Sequence, residues 1–188
     1  YTTLFRSDAP TPGTGNALPL SDGRTAECGS CTRCLTSCPT HAFPAEYILD
    51  SWLCISYQTI ENRGEIPQEL RPKLGNWIFG CDVCQEVCPW VKQYSRTGRD
   101  PWLLPETDRM APRLEDLAGL DEEGFLQRFA GTPLMRPKRR GLLRNVAVAL
   151  GNSGQPAAEA PLERLADDRE PLIADHARWA LAQLAADA

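Results

Sequence analysis

The sequence predicts an α+β chain in two parts, a loop-rich segment carrying every cysteine and then a small all-α domain. Three observations predict it. Eight cysteines fall into Cys28-Gly-Ser-Cys31-Thr-Arg-Cys34-Leu-Thr-Ser-Cys38-Pro39 and Cys81-Asp-Val-Cys84-Gln-Glu-Val-Cys88-Pro89, with Cys54 between the two runs. Sixteen prolines and 14 glycines in 188 residues imply much loop. After Pro112 apolar residues recur every three or four positions, the period of a helix.

The cysteine spacing carries the chemistry. Three thiolates two residues apart on one tight loop converge on three irons of a cube, and the fourth, three residues on and followed by proline, serves the other cluster, as in bacterial two-cluster ferredoxins. The second run lacks its first cysteine locally, and Cys54 alone is left to supply it. Cluster one is therefore assigned to Cys28, Cys31, Cys34 and Cys88, and cluster two to Cys38, Cys54, Cys81 and Cys84, which uses all eight. A disulfide framework fits poorly, because cysteines so close on one loop pair badly and no secretion signal is visible. Zinc takes ligands in fours, and a third cysteine two residues further on suits a cube better. With the set complete, His41 has no ligand role. Reduced, iron-bound cysteines point to the cytoplasm.

A net charge of −5 excludes an overall basic footprint for nucleic acid, so any such surface is local. No apolar run approaches the roughly 18 residues of a membrane span. Residues 1–27 read as a linker, Pro/Gly/Thr/Ser-rich from Asp8 on. Tyr1–Ser7 resembles a translated sequencing adapter, and with no initiator methionine the chain is expected to be the C-terminal piece of a longer protein. Residues 28–93 form the cluster domain, with short helical turns around the clusters. Residues 94–112 read as a second linker, with Trp102-Leu103-Leu104 packing on one of the flanking domains.

Residues 113–188 form the helical domain. Asp121 caps a helix that puts Phe125, Leu126 and Phe129 on one face and ends at Gly131. A second helix runs from about Lys138 to Leu150, with Leu142, Leu143, Val146 and Leu150 inward and Gly151-Asn152 as its stop. A third has Pro161 in its first turn and buries Leu162 and Leu165. The fourth starts near Pro171 and carries Ile173, Ala177, Ala180, Leu181 and Leu184, with His176 on its surface or packed. Short helices in this order suggest a HEAT-like pair.

The strings CISYQTIENRG from Cys54, NWIFGCDVCQEVCPW from Asn76 and PLMRPKRRGLLRN from Pro133 resemble epoxyqueuosine reductase, and the likeness runs from about Glu27 to the C-terminus. That resemblance implies an enzyme that reduces the epoxide of epoxyqueuosine in tRNA to queuosine with cobalamin. Its cobalamin domain and catalytic acid would lie upstream of this chain, leaving no catalytic residue here. It also implies that Ser56, Tyr57 and Asp82 lie near the corrin, the alternative for them being loop hydrogen bonds to sulfide or backbone that tune the cluster, and that an external donor such as flavodoxin or ferredoxin supplies electrons to a monomer. Residues 131 to 147 hold Arg136, Lys138, Arg139, Arg140 and Arg144 and no acidic residue. Such a run is ordinarily a solvated helix face; with tRNA as the implied substrate it becomes a phosphate-binding segment, for which the planar fork of arginine is suited. The alternatives are a stand-alone two-cluster electron carrier, against which the displaced Cys54 argues, and a reductive-dehalogenase-like corrinoid enzyme, from which the basic segment differs.

Overall fold

The computed structural model describes residues 28–95 and 112–186, with the backbone of residues 18–19 and 25–26. The 94–112 linker, its Trp102-Leu103-Leu104 triplet included, and the 1–7 segment lie outside the described residues but for 94–95 and 112. The chain forms two compact units, Tyr1–Thr32 and Arg33–Ala188.

In the first unit, strands β1 (Leu18–Pro19) and β2 (Thr25–Ala26) pair antiparallel, Leu18 opposite Ala26. A tight turn follows in which the Cys31 N–H donates to the Cys28 carbonyl at 3.0 Å. Gly29 has φ +54 there, which glycine adopts without a Cβ penalty.

The second unit is helical. Besides an isolated Ala45–Ile48 bridge, its described residues form no strand, so sheet is scarcer than an α+β expectation implies. Four short helices surround the cysteines: α1 (Arg33–Ser37), α2 (Ile55–Ile60), α3 (Val83–Glu86) and α4 (Pro89–Tyr94). Each is too short to persist by propensity, so packing holds it. α1 packs on α3, and a 3-10 turn at Arg71–Leu74 connects α2 to the second cysteine run.

Beyond Pro112 come α5 (Leu114–Ala118), α6 (Glu122–Phe129), α7 (Lys138–Asn152), α8 (Glu159–Ala166) and α9 (Pro171–Ala186). The Asp121 carboxylate caps α6 by accepting the Gly124 N–H at 2.7 Å, and Gly131 at φ +74 turns the chain just past its end. Phe125 and Phe129 are buried, but Leu126 is 42% exposed and not on the inward face as expected. One residue past Phe125 it is turned by about 100° around the axis, beyond the edge of the narrow stripe that Phe125 and Phe129 define one turn apart. α7 stops at Gly151-Asn152, as expected. A Cβ on Gly151 would sit 2.6 Å from the Ala180 Cβ, so this glycine admits close approach of α9 inside the helix.

The core is centred on α7. Leu142, Leu143, Val146 and Leu150 pack with Phe125, Leu162, Leu165 and Ile173 from α6, α8 and α9. Val148, on the opposite side of α7, packs with Ile55, Ile66, Leu70 and Leu74. Those five buried side chains, at about 1.5 to 3 kcal/mol each, supply on the order of 10 kcal/mol toward keeping the cysteine-bearing segment on the helix. The segments 33–95 and 112–186 thus share α7 within one compact unit.

Candidate metal-cluster site and basic surface

Cys38, Cys54, Cys81 and Cys84 line one cavity of about 60 Å³. Its remaining wall is Pro39, Ala42, Phe43, Leu49, Ile55 and Val83, all apolar. Cys38 follows α1, Cys54 is the N-cap of α2, and Cys84 lies in the first turn of α3. Among the described residues no three His, Cys, Asp or Glu side chains close on a single ion.

The thiols are not equivalent. Burial pushes Cys38 up, but the Thr40 hydroxyl (3.5 Å) and the Ala42 N–H (3.3 Å), with the N–H groups of Thr40 and His41, hold it below the ordinary thiol value. His41 is itself exposed at φ +53. Burial raises Cys81, against one N–H from Val83, and its neighbours Cys54 and Cys38 raise it further. Cys84 is raised by burial and then by Cys81 and Cys54. Burial and neighbouring cysteines thus disfavour a free thiolate at Cys81 and Cys84 while hydrogen bonds favour one at Cys38, and the four sulfurs gather against an apolar wall. They are a fitting donor set for a cationic, sulfur-seeking iron cluster, which would be held by these four side chains.

Of the other four cysteines, Cys34 lies in α1 and Cys88 caps α4. Cys28 and Cys31 form the turn of the N-terminal unit. Ser56 and Tyr57 follow Ile55 in the first turn of α2, both half-buried, and Tyr57 meets the Trp52 ring edge-on at 5.2 Å. Asp82 is exposed, accepting from the Gln85 amide at 3.1 Å. Close by in sequence, Tyr47, Ile48, Leu49 and Trp52 are each more than half exposed, an apolar run of the kind that marks a contact surface.

The basic run divides. Arg136, Lys138 and Arg140 are exposed, Arg136 pairing with Glu61 and Arg140 lying 3.8 Å from Glu170. Arg139 is mostly covered. It donates to the Leu120 carbonyl at 2.8 Å and pairs with Asp168 at 2.5 Å, which offsets burial and holds that carboxyl below its usual range. Arg144 is fully buried and spends its donors on Asn145 and on the Gln58, Asn62 and Gly64 carbonyls, so a phosphate contact for it is corrected to an internal one. His176 is also fully buried, its Nε2 accepting the Ile66 N–H at 3.1 Å.

Arg63 is the surface cation that reading the chain in order leaves out. It is exposed, donates to the Arg136 carbonyl, and lines a cavity of about 370 Å³ with Asn62, Pro137, Lys138, Arg140 and Gly141. Its only signal was membership of the CISYQTIENRG string, since 73 residues separate it from its contact at Arg136.

Comparison with known proteins bears on both places. The 4Fe-4S double cluster binding domain family matches residues 27–91. The epoxyqueuosine reductase of Xanthomonas campestris is 44% identical over 167 residues, 88% of this chain and 47% of that protein, and the Escherichia coli K12 enzyme is 42% identical over 168 residues, 88% and 44%. Over this shared stretch the chain is similar to epoxyqueuosine reductases. Epoxyqueuosine reductase from Bacillus subtilis superposes with a TM-score of 0.78 at 32% identity over 85% of this chain and 42% of that one. A crystal structure of epoxyqueuosine reductase with an epoxyqueuosine-modified tRNA stem loop matches with a TM-score of 0.77, also at 32% identity, over 84% and 42%. The chain spans about half the length of the epoxyqueuosine reductases it matches.

Proposed function

We propose that this chain is the electron-delivery and RNA-binding part of an epoxyqueuosine reductase, which reduces the epoxide of epoxyqueuosine in tRNA to queuosine. The carrying observation is the apolar cavity lined by Cys38, Cys54, Cys81 and Cys84. These four hold one 4Fe-4S cluster and Cys28, Cys31, Cys34 and Cys88 the other, in a ferredoxin-like segment over residues 28–93, followed by a HEAT-like helical segment over 113–188. When bound, such clusters supply one-electron transfer at potentials anywhere from about −700 to +450 mV.

The residues of the chain set where in that range the site falls. N–H and O–H donors concentrate on Cys38, while the wall around Cys81 and Cys84 is apolar, and few donors to sulfur in an apolar setting favour a low potential. Ser56, Tyr57 and Asp82 face the cobalamin, held mainly by residues outside this chain, and the exposed Tyr47–Trp52 run is the apolar surface it and its domain cover. An external donor such as flavodoxin or ferredoxin feeds a monomer in the cytoplasm. No helix among the described residues is long and apolar enough to cross a membrane.

Arg63, Arg136, Lys138 and Arg140 bind tRNA phosphates, and Arg139 supports them through its pair with Asp168. Anaerobic reconstitution with iron and sulfide tests the cluster part: about eight irons per chain are expected, and about four or fewer end the two-cluster assignment. Binding of an anticodon stem-loop across salt tests the other part. Each of Arg63→Ala, Lys138→Ala and Arg140→Ala should flatten the salt slope by about 0.7 to 0.9, and three unchanged slopes would remove the phosphate role.

A further inference from the structure

Arg144 and Asn145 stand side by side in the middle of α7, both fully buried. Among the described residues no carboxylate pairs with Arg144; burial and the nearby charges of Arg140, Arg63 and Arg71 bring its pKa down to about 10. Its Nε and Nη2 donate to the Asn145 Oδ1 at 3.0 and 2.8 Å, which fixes that amide with its nitrogen pointing the other way. The Asn145 Nδ2 then donates to the Thr59 and Ile78 carbonyls, each at 2.8 Å. Arg144 itself reaches the Gln58 carbonyl at 2.5 Å and the Asn62 and Gly64 carbonyls at 3.0 and 2.5 Å.

These contacts run on to the cysteines. The Thr59 Oγ1 accepts the Gly80 N–H at 3.0 Å and donates to the Ile55 carbonyl at 2.8 Å. Ile55 directly follows Cys54, and Gly80 directly precedes Cys81. Two cavity-lining cysteines from separate stretches of chain are therefore tied to one helix through a single buried polar network. A buried cation with no counter-charge is costly, and an apolar side chain would pack an interface at less cost. What the polar pair supplies in addition is direction, since each carbonyl it holds has one place to be.

We propose that Arg144 and Asn145 are positioning residues that set the separation of Cys54 and Cys81 for the cluster these hold. The proposal rests on the two-cluster reading above. It gives the RN pair of the PLMRPKRRGLLRN string a task distinct from the exposed cations that precede it.

Two near-isosteric variants of the 188-residue chain test it. Asn145→Asp keeps the acceptor for Arg144 and removes both donors to Thr59 and Ile78; Thr59→Val removes only the hydroxyl link between Ile55 and Gly80. Iron and sulfide content, midpoint potentials and the paramagnetic spectrum after dithionite are compared after anaerobic reconstitution, alongside thermal midpoints. The expected result is that one of two clusters is lost, halving iron, or changes its midpoint and signal, while the other keeps wild-type values. A lower thermal midpoint with both clusters unchanged in either folded variant means that the network is only structural and overturns the proposal. Should Asn145→Asp not fold, Thr59→Val decides alone. Wild-type chain that binds about four irons or fewer overturns the two-cluster reading itself, a failure that is separately visible.

Discussion

Replacing Arg144 with methionine separates the polar contribution of this side chain from its volume, because methionine fills most of the same space without a donor. Three backbone carbonyls, of Gln58, Asn62 and Gly64, and the Asn145 Oδ1 then lose their guanidinium partner, all but the Gly64 carbonyl in a place closed to water. At about 1 kcal/mol or somewhat more for each acceptor stranded in the interior, the loss comes to about 3 to 5 kcal/mol. The usual argument that an apolar replacement of a buried charge is harmless does not apply, since it requires both partners to be replaced and backbone carbonyls cannot be. For a chain of this size the loss lowers the thermal midpoint by roughly 6 to 20 °C. Urea unfolding followed by far-ultraviolet circular dichroism measures it, with Arg140→Met as the exposed control expected within about 0.5 kcal/mol of wild type. A loss below about 1 kcal/mol for Arg144→Met would refute the reasoning, because the carbonyls would then have found other partners.

His176 is buried neutral, and burial together with the charge of Arg71 pushes its pKa down to about 4. Between pH 6.5 and about 4 the unfolded chain takes up a proton that the folded chain refuses, so stability present above 6.5 is lost as pH falls, by up to about 3 kcal/mol; His176→Gln should flatten this acid limb relative to wild type in urea midpoints measured from pH 7 to 4.5. Gly151→Ala gains about 1 kcal/mol of helix propensity but drives a methyl into the Cα and Cβ of Ala180, at 2.8 and 2.6 Å, so a net loss of about 1 to 3 kcal/mol is expected by thermal unfolding. Arg63→Ala should weaken stem-loop binding and leave the urea midpoint within about 0.5 kcal/mol of wild type, the reverse of the pattern for Arg144→Met.

That reversal shows where reading the sequence reaches its limit. Cysteine spacing is a local, covalent signal, so the grouping of Cys38 with Cys54, Cys81 and Cys84 could be argued before any coordinates, and the structure brings those four to one cavity. The helices from Asp121 onward were legible for a similar reason, since a period of three to four and a capping aspartate are properties of a few neighbouring residues. A run of cations carries no such information about direction. Arg140 and Arg144 are one helical turn apart on the same side of α7, yet one is exposed beside Arg63 and the other is sealed against the Gln58–Gly64 segment. The difference is made by where the α2 loop lies across the helix, which no local pattern encodes. Gly151-Asn152 has a second role that is equally hidden. Both types stop helices and do so here, but the glycine also lets α9 approach, and the Asn152 amide reaches the Arg71 and Gly75 carbonyls at 2.8 and 2.9 Å. With Arg144 and Asn145, Asn152 makes a row of side chains on α7 whose partners are backbone carbonyls of the cysteine-bearing segment. A helix that holds a neighbouring segment by its carbonyls specifies that segment's path without constraining its side chains, which leaves the cysteines free to be chosen for iron alone.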